Sequence, residues 1–79
     1  MSAVEPFRVW TIYSHPSDFP DDYVAREFSI QAGAGPQPTD NVMISASLDL
    51  LRRTLMVDMR LTVIPRSDGD EPQIVESWV

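Results

Sequence analysis

The stretch FRVWTIYSHPSDFPDDYVAREFSI, residues 7–30, sets two strand-like runs around a dense turn. Phe7 to Tyr13 (FRVWTIY) is rich in β-branched and aromatic residues, which suit a pleated and packed surface. Alternation puts Phe7, Val9, Thr11 and Tyr13 on one side, with Arg8, Trp10 and Ile12 on the other. Both sides are largely apolar, so the pattern predicts a strand that is central in its sheet or packed at an interface. Pro6 suits a strand entrance. Tyr23 to Ile30 (YVAREFSI) alternates as well. Val24, Phe28 and Ile30 share one face with Arg26 among them, while Tyr23, Ala25, Glu27 and Ser29 share the other. Between the runs, Pro16 and Pro20 fix φ and bias His15 and Phe19 away from helix. Ser17, Asp18, Asp21 and Asp22 have side chains that close local turns. The expected unit is an antiparallel pair joined by a connection longer than a hairpin turn.

Working outward, QAGAGPQPTDN (residues 31–41) reads as a second loop, punctuated by Gly33, Gly35, Pro36 and Pro38. It is not a phosphate loop, because Gly-x-Gly here lacks both the third glycine and a downstream lysine. Val42 to Ile44 is a candidate short strand. Ser47 is a good N-cap for LDLLRRTLM, and Asp49 in the first turn suits the helix dipole. Leu48, Leu51 and Leu55 recur at i, i+3 and i+7, a core-facing stripe that Leu50 would widen, with Arg52 and Arg53 turned to solvent. Arg60 to Ile64 reads as a strand stopped by Pro65, and RSDGDEP (residues 66–72) as an acidic turn. In the last strand, Gln73 to Val79, alternation groups Ile74, Glu76 and Trp78 against Val75, Ser77 and Val79. The order β-β-(β)-α-β-β predicts one α+β domain over residues 1–79: a small antiparallel sheet of four to five strands with one helix packed on a face.

Composition narrows the function classes. A chain of 79 residues buries only about 60% of its unfolded surface, so its core is marginal unless a partner extends it. With no cysteine and one histidine, disulfides, thiolate sites and a His-rich zinc site are excluded. Twelve acidic residues oppose six basic ones, all arginine, for a net charge of −6. That balance repels nucleic acid and anionic membranes, so neither is an expected direct partner. No run reaches the roughly 18 apolar residues of a membrane span, and MSAVEPFRVW lacks the pattern of a signal peptide. A cytoplasmic protein without cofactors is expected.

His15 with Asp18 and Asp22 is the one grouping that resembles an acid/base or metal site. Its spacing and prolines are equally those of a tight β–β connection, and so short a chain has little volume for a catalytic pocket. Asp68-Gly69-Asp70-Glu71 fails as a calcium loop, because its glycine falls second instead of sixth. No serine sits in a G-x-S-x-G elbow. An enzyme is therefore not expected. Trp10, Tyr13, Phe19, Tyr23 and Trp78 are many large rings for so small a core, and Trp, Tyr and Arg dominate binding hot spots.

The run WTIYSHPSDFPDDYVAR, Trp10 to Arg26, resembles a W-T-I-Y-x-H-P-x-D-F-P-x-x-Y-V-A-R signature of small bacterial proteins. LDLLRRTL, IPRSDGDEP and the closing IVESWV resemble the same group. The resemblance implies a complete small protein and carries no activity with it. A looser likeness of profile links the chain to small, acidic, cysteine-free inhibitors of the anti-CRISPR type.

These observations point to a protein-binding module, of the kind that occupies a basic nucleic-acid-binding groove by imitating DNA. Asp18, Asp21, Asp22, Asp68, Asp70 and Glu71 would supply the charge, with Trp10, Tyr13, Phe19 and Tyr23 as aromatic contacts. The idea requires the fold to bring the two acidic turns together, and an arginine between them would weaken it. Two alternatives stay open: a homodimer joined through its aromatic sheet face, or a metal-binding protein or enzyme using His15.

Overall fold

Strand β1 (Phe7–Ser14) lies third in a five-stranded antiparallel sheet, with β2 (Tyr23–Ile30) on one side and β5 (Ile74–Trp78) on the other. The computed structural model describes residues 7–67 and 69–79. β3 (Gln37–Ser45) and β4 (Val63–Pro65) form the two edges, giving the order β3-β2-β1-β5-β4. This is the α+β architecture expected, and the apolar residues on both faces of Phe7–Tyr13 belong to its central strand. The β1–β2 register runs unbroken from Phe7 opposite Ile30 to Ser14 opposite Tyr23.

One face of the sheet is covered by helix α1 (Leu48–Arg53), which continues as a π-helical turn over Thr54–Asp58. The Ser47 hydroxyl accepts the Leu50 N–H at 3.3 Å and caps the helix. Thr54 donates its hydroxyl back to the Leu50 carbonyl at 3.0 Å, a mid-helix bond of the kind that bends the backbone ladder. The core is built from Trp10, Ile12, Ala25, Leu51, Leu55 and Trp78, with Tyr23, Met43, Leu48, Leu61 and Val75 packed around it. Leu48, Leu51 and Leu55 face the sheet as their spacing predicts. Leu50 does not widen the stripe, being 59% exposed on the outer side.

Arg52 also departs from expectation. It reaches the sheet and donates to both carboxylate oxygens of Glu76, from Nε at 3.0 Å and Nη2 at 2.9 Å. Glu76 is on the helix-covered face because it alternates regularly with Trp78, but beyond it β5 carries a bulge. Ile12 pairs with Glu76 and Tyr13 with Ile74, so Val75 has no opposite number. Ile74 therefore moves to the uncovered face, away from Glu76 and Trp78, and simple alternation fails there.

Two further boundaries differ. β3 begins at Gln37, well before Val42, because a second bulge lets Thr39, Asp40 and Asn41 span the space opposite Glu27. Its edge position tolerates Pro38, which needs no ladder N–H. β4 starts at Val63 because Arg60, with φ 56°, turns the chain out of the helix while Leu61 N–H bonds back to the Leu55 carbonyl at 2.9 Å. Pro65 is the last residue of this edge strand, which stops there as expected.

Two stability measurements check this account. Leu55 is fully buried, so Leu55→Ala should cost about 2–5 kcal/mol in chemical denaturation. Arg60→Gly should stabilise by roughly 0.5–1 kcal/mol, since a left-handed residue after a helix favours glycine. A loss of stability in Arg60→Gly would show that the Arg60 side chain is needed there.

Candidate functional site: the acidic end of the sheet

β1 runs into the turn of residues 15–22, and its neighbour β5 emerges from the turn of residues 66–73. Because the two strands are antiparallel, both turns lie at the same end of the sheet. The Ser14 N–H bonds to the Gln73 carbonyl at 2.7 Å and closes the junction. The acidic runs, some fifty residues apart in sequence, are thus brought together.

The first turn is wired internally. His15 has φ 49°, a left-handed conformation that is uncommon outside glycine, though histidine is among the residues enriched there. Its backbone N–H bonds to the Asp22 carbonyl at 2.9 Å, and Phe19 N–H to the Pro16 carbonyl at 2.9 Å. The His15 ring donates from Nδ1 to the Pro20 carbonyl at 2.9 Å. It also tilts against Tyr23 with ring centres 5.0 Å apart. The imidazole thus closes the corner instead of turning toward Asp18 or Asp22. Among the described residues, no three His, Asp or Glu side chains are placed to hold a metal ion.

Asp18 is paired with Arg26, which stands on the uncovered face in line with Val24 and Phe28. The turn therefore folds back over one end of that face, where Val24 is fully buried. Arg26 is the interruption that weakens an uninterrupted row of negative charge. In the second turn, Asp70 accepts the Ser67 N–H at 2.9 Å, and Arg66 donates to the Asp70 carbonyl at 3.3 Å. Tyr13 sits between the turns. Its hydroxyl pKa is raised, first by burial and then by Glu71, with Arg26 working against both. The phenol thus lies between Glu71 of the second turn and Arg26 of β2, the partner of Asp18.

The proposed contact residues divide accordingly. Asp18, Asp21 and Glu71 are exposed, while Asp22, Asp70, Phe19 and Tyr13 are half-buried at this end. Tyr23 is half-buried against the core beside His15. Trp10 is only 6% exposed and Trp78 5%. Both are core residues, so Trp10 offers no ring to a partner. Asp68 lies outside the described residues.

Sequence reasoning missed two buried carboxylates on the helix-covered face. Glu76 receives Arg52 and, at Oε2, the indole N–H of Trp78 at 2.9 Å. Glu27 accepts the Thr39 hydroxyl and the Asn41 amide, each at 2.9 Å. The Asn41 hydrogen bond holds the Glu27 pKa below its ordinary 4.5; burial opposes this, while Thr39 and Arg8 reinforce it. The available signal was position: Glu27 alternates with Tyr23 and Ala25, a core-facing row in which an acid needs partners. Both carboxylates are engaged within the chain, Glu76 through both oxygens and Glu27 through Oε1.

No family model matches this chain, and no curated protein or solved structure shows significant similarity to it. Among the described residues, no helix is long and apolar enough to cross a membrane.

Two measurements follow. The folded pKa of Glu27 lies below its unfolded value, so its contribution to stability is present above about pH 4.5 and is lost as pH falls through the folded value. Glu27→Gln should therefore lower stability at neutral pH and flatten the acid limb of the stability profile. An unchanged acid limb would remove Glu27 from this role. His15→Ala should cost about 1–2 kcal/mol, through the lost ring bond and the left-handed backbone. His15→Asn, which tolerates that backbone, should cost less.

Proposed function

We propose that this chain is a protein-binding module whose acidic end docks on a basic surface of its partner. The observation supporting this reading is the meeting of the two acidic turns across the β1–β5 junction. Asp18, Asp21, Asp22, Asp70 and Glu71 stand there with Arg26 and Arg66, leaving a net charge of −3 over these seven groups. A concentrated field of one sign steers association with a partner of the other and disfavours like-charged competitors. Backbone hydrogen bonds fix the turns, and Arg26 and the Ser67 N–H hold Asp18 and Asp70, beforehand, which reduces the ordering cost on binding.

A narrower form of this reading makes the chain an inhibitor occupying a nucleic-acid groove, as small anti-CRISPR-type proteins do. Duplex DNA presents one charge per about 1.7 Å of axis. Arg26 interrupts any comparable row beside Asp18. The broader reading, a basic protein surface of unspecified role, needs no unbroken row and is favoured for that reason.

The test is affinity capture from host lysate at about 50 mM and about 500 mM salt, comparing the native chain with a variant carrying Asp21→Lys and Glu71→Lys. Capture should be strong at low salt, fall at least tenfold at high salt and fail in the variant, because exposed charges are screened within about 10 Å at moderate ionic strength. A partner retained equally by the variant, or unaffected by salt, would overturn the acidic end as the contact.

A further inference from the structure

The two edges of the sheet are not equally closed. Bonded and non-bonded pairs alternate along an antiparallel ladder, so one known bond fixes where the other backbone groups point. The His15 N–H bonds to the Asp22 carbonyl. Along the unbroken register, Tyr13–Val24 and Thr11–Arg26 are then bonded pairs between β1 and β2. Tyr23 and Ala25 turn their backbone groups the other way, to Ser45 and Met43 of β3. Val42 and Ile44 are left with N–H and C=O groups directed away from the sheet. Among the described residues, no hydrogen bond reaches them from that side.

Elsewhere the edges are blunted. Thr62 and Val79 exchange both bonds, at 2.7 and 2.9 Å, so Val63 and Pro65 of β4 point outward, and Pro65 has no N–H to offer. In the first half of β3, Pro38 likewise faces out without a donor, and the Thr39 hydroxyl takes the Asn41 N–H at 3.1 Å. Natural edges are closed by such prolines and bulges, or by charged side chains. The segment VMISA, Val42 to Ala46, has none of these. The side chains of Val42 and Ile44, 38% and 46% exposed, stand on the uncovered face. We propose that this edge receives an extended segment of the partner protein as a further strand, with apolar residues at alternate positions and Lys or Arg at its ends. In such strand addition the backbone bonds supply affinity and the alternate side chains specificity.

Charge selects that occupant. Tyr23, opposite Ser45, directly follows Asp21 and Asp22, so the acidic turn stands at one end of the open edge. Exposed Asp40 stands at the other, and β3 carries no basic residue. A segment laid along Val42–Ile44 meets backbone partners in the middle and carboxylates at both ends. A second copy of the chain does not suit the site. Two β3 edges paired antiparallel around Met43 would set each Asp40 beside the acidic turn of the other copy, and like charges opposed across strands are destabilising. Nor can the chain before Phe7 fill the edge. Phe7 lies at the far end of the sheet, opposite Ile30. A strand position beside Ile44 is roughly 25 Å from it, beyond the about 22 Å that residues 1–6 can span. The basic ends of the segment rest on the acidic-end reading above; the free backbone groups stand apart from it.

The probe is a short capped peptide of alternating valine and threonine with an arginine at each end, titrated into the nitrogen-labelled full chain and followed by NMR. At about 1 mM peptide the Val42 and Ile44 amides should shift, and their hydrogen exchange should slow about tenfold as they become bonded. Ile44→Pro removes an outward donor and no ladder bond, so it should keep the circular dichroism spectrum. It should weaken binding about tenfold, the worth of one hydrogen bond. The same peptide N-methylated along its backbone should fail to bind the native chain, which keeps the test decisive should Ile44→Pro not fold. Unslowed exchange at Val42 and Ile44, or equal binding of the N-methylated peptide, overturns the proposal. Binding should also weaken about tenfold between about 50 mM and about 500 mM salt, and less in Asp21→Lys. Edge protection without salt dependence would overturn the acidic-end reading and leave strand addition standing. Salt-dependent binding without edge protection would do the reverse.

Discussion

β1 forms ladders along both of its edges, and the rest of the fold depends on that double pairing. Its partner on one side is the next strand in sequence, and its partner on the other is the last strand of the chain. The hydroxyls of Thr11 and Ser77 meet at 3.2 Å across a separation of 66 residues. Closing so long a loop is less costly than its length suggests, because closure entropy grows only logarithmically. What it achieves is positional: the two acidic turns become neighbours because strand direction leaves them no other place.

The helix is held to this frame by two different kinds of force. Leu51 and Leu55 enter the core and supply non-directional burial. Arg52, bound by two donors to Glu76, supplies direction. Its guanidinium is held further toward the charged form, chiefly by those bonds. With the arginine side 41% exposed, the pair adds little net stability, yet its two-donor geometry sets where the helix sits along β5. Glu27 acts similarly on the same face beyond the other edge of β1, where Thr39 and Asn41 converge on it and fix how β3 bulges. The two carboxylates lie opposite Trp10 and Ile12 of β1, on flanking strands. Satisfied acids thus border the aromatic core on both sides.

Much of the architecture was legible because local patterns and global fold agree. Tyr23–Ile30 is a strand with the boundaries its alternation predicts, and Ser47 caps the helix as its residue type suggests. Legibility failed where a bulge broke the period of two. Val75 shifts Ile74 to the opposite face, and the Thr39–Asn41 bulge extends β3 through residues that read as loop. Pro65 reads as a stop, and β4 ends on it. The aromatics were legible as important but not as inside or outside: Trp10 went to the core, and Phe7 stayed on the surface.

By itself, the sequence determined an α+β chain with a central first strand, an acidic surface and no thiol chemistry, because those follow from composition and local periodicity. Only the tertiary structure decided that the acidic turns adjoin, that Arg26 sits among their charges, and that Arg52 reaches Glu76. Each of these depends on which strands pair and in what register. Pairing is set by the combined burial of residues far apart in the chain, which no local window of sequence contains.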